Sequence, residues 1–119
     1  MRDTVLTQAT RIVIKIGSSL IASRAEGLRP ERIDRLADEI ATLKRQGREI
    51  LIVSSGAIVS GIRKLQLKEY PKNLPVKQAA AAVGQSRLMW AYEKAFERLS
   101  IQVAQILLTH QDLEDRRRF

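Results

Sequence analysis

The sequence predicts an α/β fold, a three-layer α/β/α sandwich around a mainly parallel sheet. Three observations predict it. The runs 12–16, 49–53 and 101–108 are apolar and rich in branched residues, as central parallel strands are. Segments with helical periodicity separate them, and strands alternating with helices stack into layers. The first two runs end in small residues, Gly17-Ser18-Ser19 and Ser54-Ser55-Gly56-Ala57. That is the end of an open parallel sheet where ligands bind.

In the first strand Ile12, Ile14 and Ile16 face one side and Val13 and Lys15 the other, so it is apolar on both faces until the lysine. Residues 20–29 read as a loop around Gly27. Pro30 suits the first turn of a helix whose apolar positions are Ile33, Leu36, Ala37, Ile40 and Leu43, and Gly47 closes it. With the strand at 49–53, the first fifty residues make a strand–helix–strand unit with an expected right-handed crossover. A second helix is expected over about 56–65, with Ile58, Val59, Ile62 and Leu65 inward. Residues 66–75, with Tyr70-Pro71 and Leu74-Pro75, read as a loop.

A long helix is expected over about 76–98. Its run Gln78-Ala79-Ala80-Ala81-Ala82-Val83-Gly84-Gln85 carries so little bulk that a helix, a sheet face or a subunit partner must approach it closely. The third strand, 101–108, leads to Thr109 or Asp112 as the cap of a final helix that has hardly begun at Phe119. The chain therefore reads as the truncated front part of something longer.

With 119 residues, 45% of them apolar, three prolines and six glycines, the composition is that of one folded domain. The absence of cysteine excludes disulfides, thiolate metal sites and thiol nucleophiles. No run approaches the roughly 18–20 apolar residues of a membrane span, and the N-terminus lacks the apolar core of a signal peptide, so a cytoplasmic location without membrane contact is expected. A net charge of +8 invites a nucleic-acid partner. The bases, however, alternate with acids, as in Glu31-Arg32-Ile33-Asp34-Arg35, and aromatic residues for base stacking are only 4%. Solvated helix faces are the expectation, and Arg116-Arg117-Arg118 reads the same way.

Lys15 stands where packing would favour valine or isoleucine, and taking an ammonium out of water costs several kcal/mol unless an anion compensates. Lys15 is thus a candidate anion-binding or phosphoryl-stabilising group, against the simpler reading of a lysine snorkelling to water. Gly17 would let the backbone approach an oxyanion and Ser18 and Ser19 add hydroxyl donors, against an ordinary turn. In Ser54-Ser55-Gly56-Ala57 a serine caps the coming helix and glycine exposes its first N–H groups at the positive dipole end, against a plain N-cap. Neither Gly-x-Gly-x-x-Gly nor Gly-x-x-x-x-Gly-Lys-Ser/Thr occurs, so any phosphate chemistry uses neither the Rossmann nor the P-loop fingerprint. His110 is the single histidine, a polar strand-end residue with no acidic cluster beside it, and no metal site is expected.

Together, Ile14-Lys15-Ile16-Gly17-Ser18-Ser19, Val53-Ser54-Ser55-Gly56-Ala57-Ile58, the run 78–85 and Gln105-Ile106-Leu107-Leu108-Thr109 closely resemble the N-terminal part of the glutamate 5-kinase branch of the amino acid kinase family. The resemblance covers about residues 10–119, and the glutamine-alanine-glycine run favours this branch over acetylglutamate kinase and aspartokinase. It implies the amino acid kinase fold and transfer of the γ-phosphoryl of ATP, with Mg2+, to the side-chain carboxylate of L-glutamate, the first step towards proline. It implies that Lys15 contacts the transferring phosphoryl group, that Gly17 and Ser18 lie near the phosphates, and that Ser55, Gly56 and Ala57 hold glutamate. Feedback inhibition by proline and a homo-oligomer come with it. Residues 1–119 would then be the N-terminal part of a kinase domain, with the nucleotide-binding part and any PUA domain outside them. Such a lobe would be basic without binding nucleic acid and would expose apolar surface where further strands pair. The alternatives are another amino acid kinase, or a non-catalytic basic module whose binding to RNA would fall steeply with salt.

Overall fold

The structure is a computed structural model that describes residues 2–115 and 117. In chain order the elements are α1 (Arg2–Gln8), β1 (Arg11–Ile16), α2 (Ser18–Ile21), β2 (Ala22–Ser23), β3 (Gly27–Leu28), α3 (Pro30–Arg45), β4 (Glu49–Ser54), α4 (Ala57–Lys64), α5 (Leu74–Glu97) and α6 (His110–Glu114). β1 and β4 pair in parallel, with Arg11 opposite Glu49 and Ile16 opposite Ser54. The ladder runs one step further, because the Ser55 N–H donates to the Ile16 carbonyl at 2.8 Å. This is the mixed α/β fold with a parallel sheet that the strand–helix–strand pattern predicts.

Alternation decides which side chains meet the core. Ile16, only 1% exposed, packs with Ile21, Ile33, Ala37, Ile40, Leu88, Tyr92, Ala95 and Phe96, and Ile14, Ile50 and Ile52 join from the same sheet face. α3 and α5 cover this face. The other face is bare among the described residues: Val13, Leu51 and Val53 are 61%, 45% and 56% exposed.

α3 matches its prediction closely. Pro30 occupies the first turn, Glu31 lies near the positive dipole end, and Lys44 and Arg45 lie near the negative one. At the end of α5, Arg98 ties that helix to α3 by donating to the Asp38 carboxylate at 2.9 Å and to the Asp34 carbonyl at 2.8 Å. α5 begins two residues before the expected position, because Asn73 accepts from the Val76 N–H at 3.0 Å and caps it.

The small-residue run of α5 meets α4. A Cβ built at Gly61 would overlap the Ala80 carbonyl, and one at Gly84 would overlap the Ala57 carbonyl. Of the three expected explanations for that run, a neighbouring helix is the one found. α4 itself spans nearly the expected residues, but Leu65 caps its C-terminal end largely exposed instead of pointing inward.

Three expectations change. Residues 20–29 are not a plain loop, since they contain the end of α2 and the antiparallel pair β2–β3, with Ala22 opposite Leu28. α1 has no counterpart in the sequence reading; all its residues are exposed, and its last turn is held by Arg48 donating to the Leu6 carbonyl at 2.7 Å. Most importantly, residues 101–108 form no strand. Ile101 and Val103 pack against the core, whereas Ile106, Leu107 and Leu108 are exposed. An apolar run reports a preference for burial, but a strand also requires a backbone neighbour, and no described residue provides one.

Thr109 and Asp112, each a candidate cap for the last helix, act together as a capping box. His110 is accordingly the first residue of α6 and not a strand end. In the arginine triplet only Arg117 lies within the described residues, where it is exposed and paired with Asp115. No helix among the described residues is long and apolar enough to cross a membrane.

Candidate functional site

The carboxyl ends of β1 and β4 open into a cleft of about 820 Å³. Its wall carries Ser18 and Ser19 from α2, Ser54, Ser55 and Gly56 after β4, and Ala57, Ile58 and Val59 from the first turn of α4. The two small-residue segments singled out in the sequence therefore face one space. They do so because parallel pairing ends both strands at the same level, with Ile16 opposite Ser54.

Gly56 makes the turn into α4 at φ +115°, ψ −7°, a conformation that disfavours any side chain. Neither its N–H nor that of Ala57 donates to an acceptor among the described residues. These unclaimed donors lie at the positive end of the α4 dipole, an arrangement suited to a carboxylate or phosphate oxygen. Ser54 does not cap α4. Its Oγ lies 2.8 Å from the Ser55 carbonyl and 2.7 Å from the Tyr92 hydroxyl. Tyr92 is buried, and that burial raises its pKa above the ordinary tyrosine value, with the Ser54 hydrogen bond opposing.

Two arginines complete the wall. Arg32 donates to the Ser19 carbonyl at 3.1 Å, and Arg24 lies over the Tyr70 ring, 5.1 Å from its centre, with Lys77 also near that ring at 5.9 Å. Arg24, Arg32 and Tyr70 line the cleft, and no carboxylate among the described residues does. The site thus presents two guanidinium groups, several hydroxyls and free N–H donors, the complement of an anion. A smaller hollow of about 340 Å³ between α2 and α3 shares Arg32 with the cleft and is lined also by Leu20, Arg35, Leu36 and Glu39.

Of the residues singled out in the sequence, Ser18, Ser55, Gly56 and Ala57 come together here, whereas Gly17 and Lys15 are not part of the cleft wall. Gly17 precedes α2 with φ −75°, ordinary for any residue, and a Cβ there would meet open space. Lys15 is exposed on the bare sheet face, on the same side as Val13 and opposite Val53 in the ladder. Its ammonium stays in water, so the expected cost of burial, and the compensating anion that cost would demand, do not arise. Sequence reasoning missed Arg24, Arg32 and Tyr70 as cleft residues. Arg32 looks like one more base on a charged helix, and only the packing of α2 against α3 brings it to Ser19.

The sequence pattern of the amino acid kinase family matches residues 10–119. The chain belongs to that family. It is 54% identical to glutamate 5-kinase of Geobacter metallireducens, 52% identical to that of Citrifermentans bemidjiense and 50% identical to that of an Azoarcus species, in each case over all 119 residues. The chain spans about a third, 32%, of the length of these relatives. Family membership agrees with the mixed α/β fold and its parallel sheet.

Proposed function

We propose that this chain is the acceptor-binding part of a glutamate 5-kinase, which transfers the γ-phosphoryl of ATP to the side-chain carboxylate of L-glutamate. One observation carries the reading: unclaimed N–H donors at the start of α4 sit in a cleft with Ser55, Arg24 and Arg32 and no opposing carboxylate among the described residues. Glutamate, a dianion apart from its ammonium group, fits such a wall.

In the reaction a side-chain carboxylate oxygen of glutamate forms a bond to the γ-phosphorus, the bond from that phosphorus to the oxygen bridging to ADP breaks, and ADP leaves with the electron pair. The Ser55 hydroxyl and the Gly56 and Ala57 N–H groups hold the acceptor in line, the kind of positioning on which phosphoryl transfer chiefly depends. Lys15, at the carboxyl end of β1 and immediately before the Ile16-Gly17-Ser18 turn, is assigned to the transferring phosphoryl group. Its solvent-exposed ammonium is free to meet that group from the open sheet face. Gly17, with open space above it, and Ser18 are assigned to the ATP phosphates.

Mg2+ accompanies ATP in this reading, but the described residues do not fit a metal site: the cleft wall has no carboxylate, and no group of three or more His, Asp or Glu residues comes together among them. No step is assigned to the metal here. The nucleotide-binding part belongs to the two thirds of the relatives' length outside this chain. Proline biosynthesis, inhibition by proline, assembly of identical subunits and a cytoplasmic location come with the same reading.

The test is a chimera in which this chain replaces the matching segment of the Geobacter metallireducens relative. With Mg-ATP and hydroxylamine it should form the hydroxamate from L-glutamate and not from aspartate or N-acetylglutamate. Preference for either competitor would assign the chain to another amino acid kinase.

A further inference from the structure

α5 contributes Ala81 to the cleft wall and reaches the turn behind that wall through the buried Tyr92. The Tyr92 hydroxyl lies 2.7 Å from Ser54 Oγ, and Ser54 Oγ lies 2.8 Å from the Ser55 carbonyl oxygen. The direction of this chain of hydrogen bonds is fixed by counting protons. A carbonyl only accepts and a serine hydroxyl has one hydrogen, so Ser54 donates to Ser55 and Tyr92 donates to Ser54. The raised pKa of Tyr92 keeps that donor protonated across the neutral range.

The carbonyl at the end of the relay belongs to the Ser55–Gly56 peptide. In a trans peptide the C=O and the following N–H point in opposite directions, and no bond in the described chain is cis. Holding the Ser55 oxygen towards Ser54 therefore aims the Gly56 N–H the other way. Without that hold the peptide would rotate cheaply, since glycine on its C-terminal side tolerates either orientation. The Gly56 N–H is one of the unclaimed donors in the cleft wall.

We propose that Tyr92 is a positioning residue: through Ser54 it sets the direction of the Ser55–Gly56 peptide, and with it the affinity of the cleft for its acidic acceptor. This rests on the reading that Ser55, Gly56 and Ala57 receive glutamate. Tyr92 touches no substrate itself.

The experiment uses the chimera with Tyr92→Phe, with Ser54→Ala and with both. Each single variant should raise KM for glutamate about five-fold while KM for ATP and kcat stay within about two-fold, a split that mere loss of stability would not produce. Because the two hydroxyls act in series, the double variant should be no worse than the worse single one. Unchanged KM for glutamate in an active Tyr92→Phe enzyme, or fully additive losses in the double variant, would overturn the proposal while leaving the glutamate reading intact. Should Tyr92→Phe fail to fold, Ser54→Ala decides by the same KM. No turnover of glutamate by the unsubstituted chimera would remove the glutamate reading and this proposal together.

Discussion

Both faces of the β1–β4 pair carry apolar side chains, the second alongside Arg11, Lys15 and Glu49, and the apolar residues of the two faces meet opposite fates. On one face Ile14, Ile16, Ile50 and Ile52 pack beneath α3 and α5, while on the other Val13, Leu51 and Val53 stay largely exposed. The difference teaches that an apolar strand face states a demand for cover without naming what covers it. The same holds for 101–108, whose first residues find the core and whose last do not. By contrast, the contact between α4 and α5 is written in the sequence twice, once as the alanine-glycine run of α5 and once as Gly61.

The sharpest break of this comparison is at the helix contact. Gly61→Val would press a branched side chain into the Ala80 backbone carbonyl, which cannot move as a side chain can. About 3 kcal/mol or more should be lost in urea unfolding, at the upper end for overpacking. Lys15→Ala, on the bare face, should leave unfolding unchanged. In the chimera it should lower kcat about a hundred-fold while KM for glutamate moves little. Equal losses in both constants would remove the phosphoryl role assigned to it.

A matched pair measures the two faces directly. Ile16→Ala should cost about 3 kcal/mol, as truncation of a buried isoleucine does. Val13→Ala, on the face that α3 and α5 leave open, should stay within about 0.5 kcal/mol. Similar costs for the two would mean that the open face is covered in solution.

The smallest effect is on pH. Burial raises the Tyr92 pKa above its unfolded value of about 10. The stability tied to its neutral form is therefore complete below about pH 10 and is lost as pH rises through the folded value. Tyr92→Phe should flatten that part of the alkaline unfolding profile.

Local signals carried well from sequence to structure where one element sufficed. Pro30 and Gly47 bracket α3, and Thr109 with Asp112 caps α6, because caps depend on a few neighbouring residues. The small-residue corner of the cleft was legible too, since parallel strands must end side by side. Lys15 was not, because period-2 alternation says that it shares a face with Val13 but not whether that face is covered. Arg24, Arg32 and Tyr70 were hidden for a related reason: three separate segments converge on the cleft, and no spacing in the sequence records their convergence.

The central claim is that the turn from β4 into α4 holds the carboxylate of the acceptor. Ser55→Ala in the chimera tests it most directly, because Ser55 is exposed and its loss should not disturb folding. The account predicts that KM for glutamate rises about ten-fold or more, as loss of a hydrogen bond to a charged group does, with KM for ATP unchanged. An unaltered KM for glutamate in a normally folded, active enzyme would contradict it.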